Sequence, residues 1–456
     1  MSDELLDQRT GGGVTDTVVP PQSSNRVLRW WRGFGRAPRI MGVDIARALA
    51  VIGMIGAHVG LAGDLVWTDP STWSGIVHGR SSVLFAVLAG VSVSVVTGRS
   101  TPLPAEQIPA ARLRLVGRGA AVLLIGLVLE LLNTSIAIIL GVYGLLFVFA
   151  TAFLHWGARR LFVVGAALAL LGPPALAFVH ALTLDAWGPA LDFLVFGTYP
   201  ITAWIAYLLI GMGVGRLRID TRKVAAVLLG AGVILAFVAY DVGSFVNDDD
   251  DWEEKSSWED SSWEDGGYVT KPGTEVDLGG MVCDVEPGVW VSCYPEGETW
   301  VDVDDDSWGE EPWTEDDYSY AEQFEWQMAL ESVRASITND YPHSGGVLDI
   351  VGTTGVALAA LGACLLLAAP LRWVLLPVAA LGSMPLTAYA VHVISVVVMG
   401  GGPGGMVANS NGVWLWSCVT IGLAAMLWSQ LFGKGPLERL VARAGAAMVR
   451  PPRRGL

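Results

Sequence analysis

The sequence predicts an all-α polytopic membrane protein, and three observations predict it. Of 456 residues, 52% are apolar and only 16% are charged, a balance that belongs to membrane chains and not to soluble domains. Apolar runs near twenty residues long, enough to cross a bilayer as helix, recur in both halves of the chain. Clusters of Arg and Lys fall only between alternate runs, the asymmetry that sets orientation in a membrane.

Taken in order, the runs give ten spans, near 40–62, 81–98, 114–132, 135–154, 160–182, 198–215, 223–243, 347–369, 374–399 and 412–432. The ninth is long, and Gly382 with Pro385 inside it can break it in two, so eleven segments stay open. Arg26, Arg29, Arg32, Arg36 and Arg39 precede the first span, and Arg99, Arg112 and Arg114 follow the second. Arg159 and Arg160, then Arg216, Arg218, Arg222 and Lys223, then Arg372, and finally Lys434, Arg439, Arg443, Arg450, Arg453 and Arg454 follow the fourth, sixth, eighth and tenth. By the positive-inside rule both termini are then cytoplasmic. The organisation expected is a basic tail at 1–38, helices 1–7 at 39–243, an extracytoplasmic insert at 244–345, helices 8–10 at 346–433 and a second basic tail at 434–456. Met1 to Arg36 is polar, with no cleavable apolar stretch, so the first span is expected to act as the insertion signal into the cell membrane.

The net charge of −16 hides two opposite regions. Residues 247–344 hold 29 acidic and 3 basic side chains, leaving 15 acidic and 25 basic for the rest. The insert is acidic and holds eight of the nineteen tryptophans. Its SSWED SSWED repeat, Ser256 to Asp265, is low-complexity with like charges that favour an extended chain. The alternation in GGMVCDVEPGVWVSCYP predicts a small hairpin turning at Pro287 and Gly288, with Cys283 and Cys293 joined as a disulfide on the oxidising side. Cys364 and Cys418 lie within spans and read as packing residues. In DVDDDSWGEE the aspartates at 302, 304 and 306 start like a calcium loop, but Ser307 and Trp313 stand where Gly and Glu are required, so that motif is rejected and no metal is expected. An acidic external region excludes nucleic acid as a partner.

The first span carries the chemistry. Within Arg39–His58 an Asp, an Arg and a His interrupt an apolar helix, and ionisable groups in a span point to function. Asp44 and Arg47, three apart, share a face and can neutralise each other, which equally serves to fix helix register. His58, eleven residues beyond Arg47, lies about 16 Å further along the axis, toward the opposite surface. Other candidates follow from the same orientation. His78 and Arg80 sit together at the outer start of the second span, where the guanidinium suits an acceptor or a developing oxyanion. His392 lies seven residues after Pro385 on the broken ninth span, where freed carbonyls line a cavity, and reads as an acceptor-site residue or as one that supports the site from behind. Glu130 reads as reaching the interface.

The pattern Arg39, Asp44, Arg47, His58 resembles the first helix of the membrane acyltransferase superfamily, typically R-x-x-x-L-D-x-L-R-G-x-A followed by an apolar run. His58 matches the position of the proposed catalytic base in the acyltransferase 3 family. The segments HGRSSVLFAVLAGVSVS (78–94), HSGGVLDIVGTTGVALAALGACLLL (343–367), LGSMPLTAYAVHV (381–393) and FGKGPLERL (432–440) resemble the YeiB-like family of unknown function and its relative, heparan-alpha-glucosaminide N-acetyltransferase. The chain departs from the pattern at Ala48, which replaces Gly, and at Pro70, which stands where the N-acetyltransferase has its catalytic His in the loop after the first span. Three options stay open: His58 does the work, His78 has taken it over, or acyl transfer has been lost.

The resemblance implies a membrane acyltransferase that moves an acyl group, acetyl in the first instance, from cytoplasmic acyl-CoA to a hydroxyl or amine of an envelope glycan or glycolipid. His58 or His78 is the base, Arg80 and His392 hold the acceptor, and at the cofactor-binding cluster of Arg39, Asp44 and Arg47 an arginine, Arg47 or Arg39, holds a CoA phosphate. Acyl-CoA is then a donor substrate and no cofactor is tightly bound. The expected partners are the lipid bilayer, acyl-CoA, the glycan acceptor and, as an option, a second copy forming a homodimer. The alternatives are a transporter, for which the nearly charge-free later spans argue poorly, and a non-catalytic scaffold presenting the acidic insert.

Overall fold

The computed structural model describes residues 26–36, 39–61, 70–134, 136–183, 195, 199–260, 281–285, 291–295, 326–405 and 407–449. Helices dominate: α1 (Arg26–Gly33), α2 (Met41–Val59), α3 (Arg80–Val96), α4 (Ile108–Glu130), α5 (Leu140–Ala150), α6 (Ala158–Thr183), α7 (Ile201–Gly215) and α8 (Arg222–Asp260) precede a two-stranded hairpin. Then come α9 (Trp326–Thr338), α10 (Val347–Leu367), α11 (Arg372–Gly382), α12 (Pro385–Met399), α13 (Asn411–Leu431) and α14 (Pro436–Ala447).

Six stretches are long and apolar enough to cross a bilayer: Met41–Val59, Thr72–Val96, Ala158–Thr183, Arg222–Val246, Val347–Leu367 and Asn411–Leu431. The expected ninth span is the pair α11 and α12, bent by 69°. Pro385 cannot donate a backbone hydrogen bond and pushes Met384 out of the helical region, to φ −138° and ψ 54°. Gly382, on the near side of the break, packs on the backbone of Asp44 so tightly that any side chain would collide with the Asp44 carbonyl. The other three expected spans are also helical: α5 and α7 are apolar but shorter, and α4 carries Arg112, Arg114 and Arg118 along its first half.

α2 is the centre of the bundle. It packs against α3, α10, α11, α12 and α13 and is buried on nearly every face. α8 and α10 pair most extensively, their backbones brought together at Gly232, Gly355 and Gly362, where a methyl group would strike the facing chain. By contrast α13 leaves Leu415, Trp416, Leu423 and Leu427 exposed, and α6 leaves Val163 and Leu171 exposed. In a bilayer such surfaces face lipid tails.

Within the insert the sequence expectation is corrected at one point. Ser256 to Asp260, read as extended, continues α8 as helix, because extending a helix from an existing span avoids the cost of a new nucleus. The hairpin forms between Met281–Val285 and Val291–Pro295, antiparallel, with Cys283 opposite Cys293. The turn at Pro287 and Gly288, the rest of the SSWED repeat and the aspartate run at 302–306 lie outside the described residues. α9 returns the chain to the bundle against α6 and α10, with Trp326 stacked on Phe178 at 6.2 Å. Cys364 and Cys418 are free thiols, buried and half-buried.

Candidate functional site

Two polar clusters occupy opposite ends of α2. At its N-terminal end Asp44, buried, holds two arginines at once. One carboxylate oxygen accepts from Arg39 Nε, and the other pairs with Arg47 at 2.9 Å. Arg47 also donates to Ser92 Oγ of α3 at 2.6 Å. Sequence spacing anticipates the Asp44–Arg47 half; the Arg39 half arises because the residues before the helix turn back onto its first turn. One carboxylate against two guanidiniums leaves the cluster with a positive charge.

This cluster lies at the rim of a cavity of about 710 Å³, within the range of small-molecule and cofactor sites. Arg99, Arg118, Lys434 and Glu438 also line it, together with Phe85, Leu88, Val122, Leu140, Tyr143 and Phe147. The break in the ninth span supplies part of the wall through Ser383, Pro385 and Leu386. Glu438 of α14 locks that wall, accepting from the Leu386 and Thr387 backbone N–H groups at 2.9 and 3.1 Å and from Thr387 Oγ1 at 2.5 Å. A carboxylate there satisfies the free N–H groups of the α12 start.

At the other end of α2 two histidines 334 residues apart meet. His58 Nδ1 lies 3.2 Å from His392 Nε2, with the rings parallel and their centroids 5.4 Å apart. A single proton fills that contact, so one ring donates and the other accepts through a bare nitrogen. α13 fixes the height of His58: the Trp414 indole packs on Gly56 and donates to the Ile52 carbonyl at 2.9 Å, and Ser410 N–H donates to the Val59 carbonyl at 2.8 Å. His392 is fully buried and its Nδ1 has no hydrogen-bond partner among the described residues. A ring buried in this way meets His58 directly, which fits the expectation of a role behind the acceptor site.

Two turns complete this end. Gly79, with φ +64°, packs on Pro342, so the turn before α3 lies against the turn before α10. The first carries His78 and Arg80. The second carries His343, a non-glycine residue at φ +69°, whose ring meets Tyr199 edge to face at 5.7 Å. Both His78 and His343 are close enough to His58 to act on it electrostatically. Arg80 is buried; it donates to Tyr240 Oη at 3.0 Å, lies over that ring at 4.8 Å and reaches the carbonyls of Gly75 and His78 at 3.5 and 3.4 Å. Burial first and the neighbouring His78 second hold the His343 imidazole below its ordinary pKa.

Sequence reasoning missed Asp349, in the first turn of α10, along with the Tyr240 partner of Arg80. A signal existed, since Asp349 is the one acid in the expected eighth span and such residues mark function. Glu130, in contrast, is exposed at the end of α4, as expected. Among the described residues no group of three or more His, Cys, Asp or Glu side chains is arranged to hold a metal.

Residues 39–239 match the family heparan-alpha-glucosaminide N-acetyltransferase, catalytic. The chain is related to that family. No curated protein and no solved structure matches the chain. The match takes in Arg39, Asp44, Arg47, His58, His78 and Arg80, and stops before His343, Asp349 and His392. It indicates membrane acetyltransferase activity in general.

Proposed function

We propose that the chain transfers an acyl group, acetyl in the first instance, from cytoplasmic acyl-CoA to a hydroxyl or amine of an envelope glycan, with His58 as general base. The observation that carries this reading is the 3.2 Å contact between His58 and His392. A ring that shares a proton with a second imidazole can take one from an attacking hydroxyl or amine and pass charge onward, as a general base does. The cavity at the basic end supports the donor half. Its cationic lining suits CoA phosphates, which Arg recognises with two parallel donors, and its apolar lining suits the arm that carries the thioester. With that end in the cytoplasm, as the basic tails favour, the histidines face the envelope.

Arg47 and His58 are separated by about 16 Å of helix. Most of the α2 residues between them, Ala48, Ala50, Val51, Met54 and Ile55 among them, are buried, while Leu49 is exposed on the outer face. Acyl transfer therefore requires the cavity to deepen along α2 once the donor is bound. The hairpin ladder, with Cys283 opposite Cys293, supports the disulfide as part of the same orientation, since such bonds persist on the oxidising side.

The test is acyl-CoA binding and thioester turnover by the purified protein in nanodiscs, wild type against His58→Ala. Binding retained and turnover lost in the variant is the expected result; turnover unchanged by the variant overturns the assignment of the base. The bent pair favours a second reading as a transporter, because broken helices in membranes line substrate sites. Absence of acyl-CoA binding in the wild type would select it.

A further inference from the structure

α12 and α13 part on the side turned away from the bundle and leave a groove of about 660 Å³. Val391, Ser395 and Met399 line it along α12, and residues of 412–424 line it along α13, each set recurring about every four residues and so occupying one side of its helix. From 412 to 424 the helix rises about 18 Å, close to the ~15 Å of hydrocarbon in one leaflet, half of a ~30 Å core. Val391, Met399 and Trp416 are exposed, and α13 is itself long and apolar enough to cross a bilayer, so this surface meets lipid tails and not water. Its hydroxyls do not change that. Ser395 Oγ donates to the His392 carbonyl at 2.6 Å and Thr420 Oγ1 to the Trp416 carbonyl at 2.8 Å, which turns both back onto their own helices. Hydrocarbon is the filling that such walls accept without loss, since a polar group would be left unpaired there.

The groove opens at the histidine end. The first α13 residue lining it, Gly412, follows Ser410 and Asn411, and these two hold the residues just after His58. Ser410 N–H donates to the Val59 carbonyl at 2.8 Å, and Asn411 Oδ1 accepts the Leu61 N–H at 2.9 Å. The mouth is open at Gly412, where a Cβ would meet only Ser410 Oγ, at 3.4 Å. His58 is half-buried, unlike His392. Residues 400–411, which join α12 to α13, include no Lys, Arg, Asp or Glu, and their polar side chains are Asn409, Ser410 and Asn411. Amides and a hydroxyl suit an uncharged polar headgroup; a phosphate would find no cation in this loop.

We infer that this groove holds the hydrocarbon chain of the acceptor, a lipid-linked molecule with an uncharged sugar headgroup that enters from the leaflet at the histidine end. The inference rests on the acyl-transfer reading and adds how its acceptor is held. A chain gains little by leaving lipid, which is as apolar as the groove; what the groove supplies is position. A chain lying along α13 sets its headgroup at the level of Ser410 and Asn411, beside the residues that follow His58, and confines it there at a high effective concentration. A free sugar lacks that anchor. Recognition of the chain then resides in α12 and α13, while the base resides in α2.

The test uses the full chain in phosphatidylcholine nanodiscs and two probes with the same photoreactive diazirine in a sixteen-carbon chain, a hexadecyl glucoside and a phosphatidylcholine. The glucoside is expected to label residues 391–399 and 412–424 at least about tenfold more than the exposed face of α6 around Val163 and Leu171, and the phosphatidylcholine to show no such preference. Excess unlabelled hexadecyl glucoside should remove the groove label, and excess methyl glucoside should not. Ser417→Trp, which fills the groove part-way along α13, is expected to lose the label. Equal labelling of groove and α6 by the glucoside overturns the inference, as does a phosphatidylcholine label equally concentrated in the groove, which would make it a site for bulk lipid. A label that survives in Ser417→Trp, or crosslinks that join two copies of the chain through α12 and α13, also overturns it. If the variant does not fold, the competition decides the matter on wild type alone, since displacement by methyl glucoside means that the chain is not what is held. Failure of the acyl-transfer reading is visible separately, as absence of thioester turnover in a protein that still takes label in the groove.

Discussion

The two ends of α2 solve the problem of ionisable groups in a membrane differently. At the basic end the charges are paired, Asp44 with Arg39 and Arg47, and they border a cavity of about 710 Å³. At the histidine end the groups are buried singly or as a neutral-compatible pair, and the cavity beside Asp349 has room for one small group. The first arrangement is suited to holding a large charged molecule without reacting with it. The second leaves a bare imidazole nitrogen and, in Asp349, a carboxylate oxygen without a hydrogen-bond partner among the described residues, which is the condition for moving protons. On the proposed reading the first end binds the donor and the second reacts, the division of labour that acyl transfer across a membrane needs.

The largest expected effect breaks the histidine end alone. On the proposed mechanism His58→Ala is expected to lower kcat by roughly 10²–10⁴-fold with the dissociation constant of acyl-CoA unchanged. His392→Phe keeps a flat ring but removes the shared proton, and about ten- to a hundredfold is expected, the worth of one hydrogen bond to a developing cation. Steady-state kinetics with parallel binding measurements checks both. An equal fall in acyl-CoA affinity would show that the two ends are not separate.

The basic end is expected to respond in stability before catalysis. Asp44→Asn removes the carboxylate from two partly exposed arginines, and the loss, between that of an exposed and of a buried pair, is about 1–2 kcal/mol, visible as a lowered unfolding temperature in nanodiscs. A change of similar size comes from the cavity lining. Arg118→Gln with Lys434→Gln is expected to weaken CoA binding about tenfold, near 1.4 kcal/mol, and to flatten its salt dependence, since these cations border the cavity without engaging Asp44. Equal loss of binding for CoA and for its dephosphorylated pantetheine fragment would show that they do not meet phosphate.

The same contrast explains what the sequence made legible. The basic end is written locally: Arg39, Asp44 and Arg47 fall within nine residues, and helical spacing alone brings two of them together. The helices too are local, carried by apolar runs, and Pro385 after Gly382 marks the break. The histidine end is assembled from α2, α12 and the turns before α3 and α10, so periodicity places each residue at the right height but cannot say that His58 faces His392. Asp349 escaped because a lone acid at the start of an apolar run reads as a helix boundary. Its burial appears only when the Gly345 turn and the walls from α7 close around it.

The smallest expected effect concerns pH and tests whether the histidine end is folded around neutral rings. His343 sits in the turn before α10, beside Tyr199 and His78, and its pKa is held below the ordinary value by burial first and His78 second. Between the lowered folded value and the unfolded value of about 6.5, the unfolded chain binds more protons than the folded one. Stability from this residue is therefore fully present above about pH 6.5 and is lost as pH falls toward the folded value. His343→Asn is the variant of choice, since Asn tolerates the positive φ that this position requires. Unfolding temperature measured from about pH 7.5 to 5 should fall less steeply in the variant than in wild type. A slope that the variant leaves unchanged would mean that the acid sensitivity of this end resides elsewhere than in His343, and that the turn tolerates a charged ring.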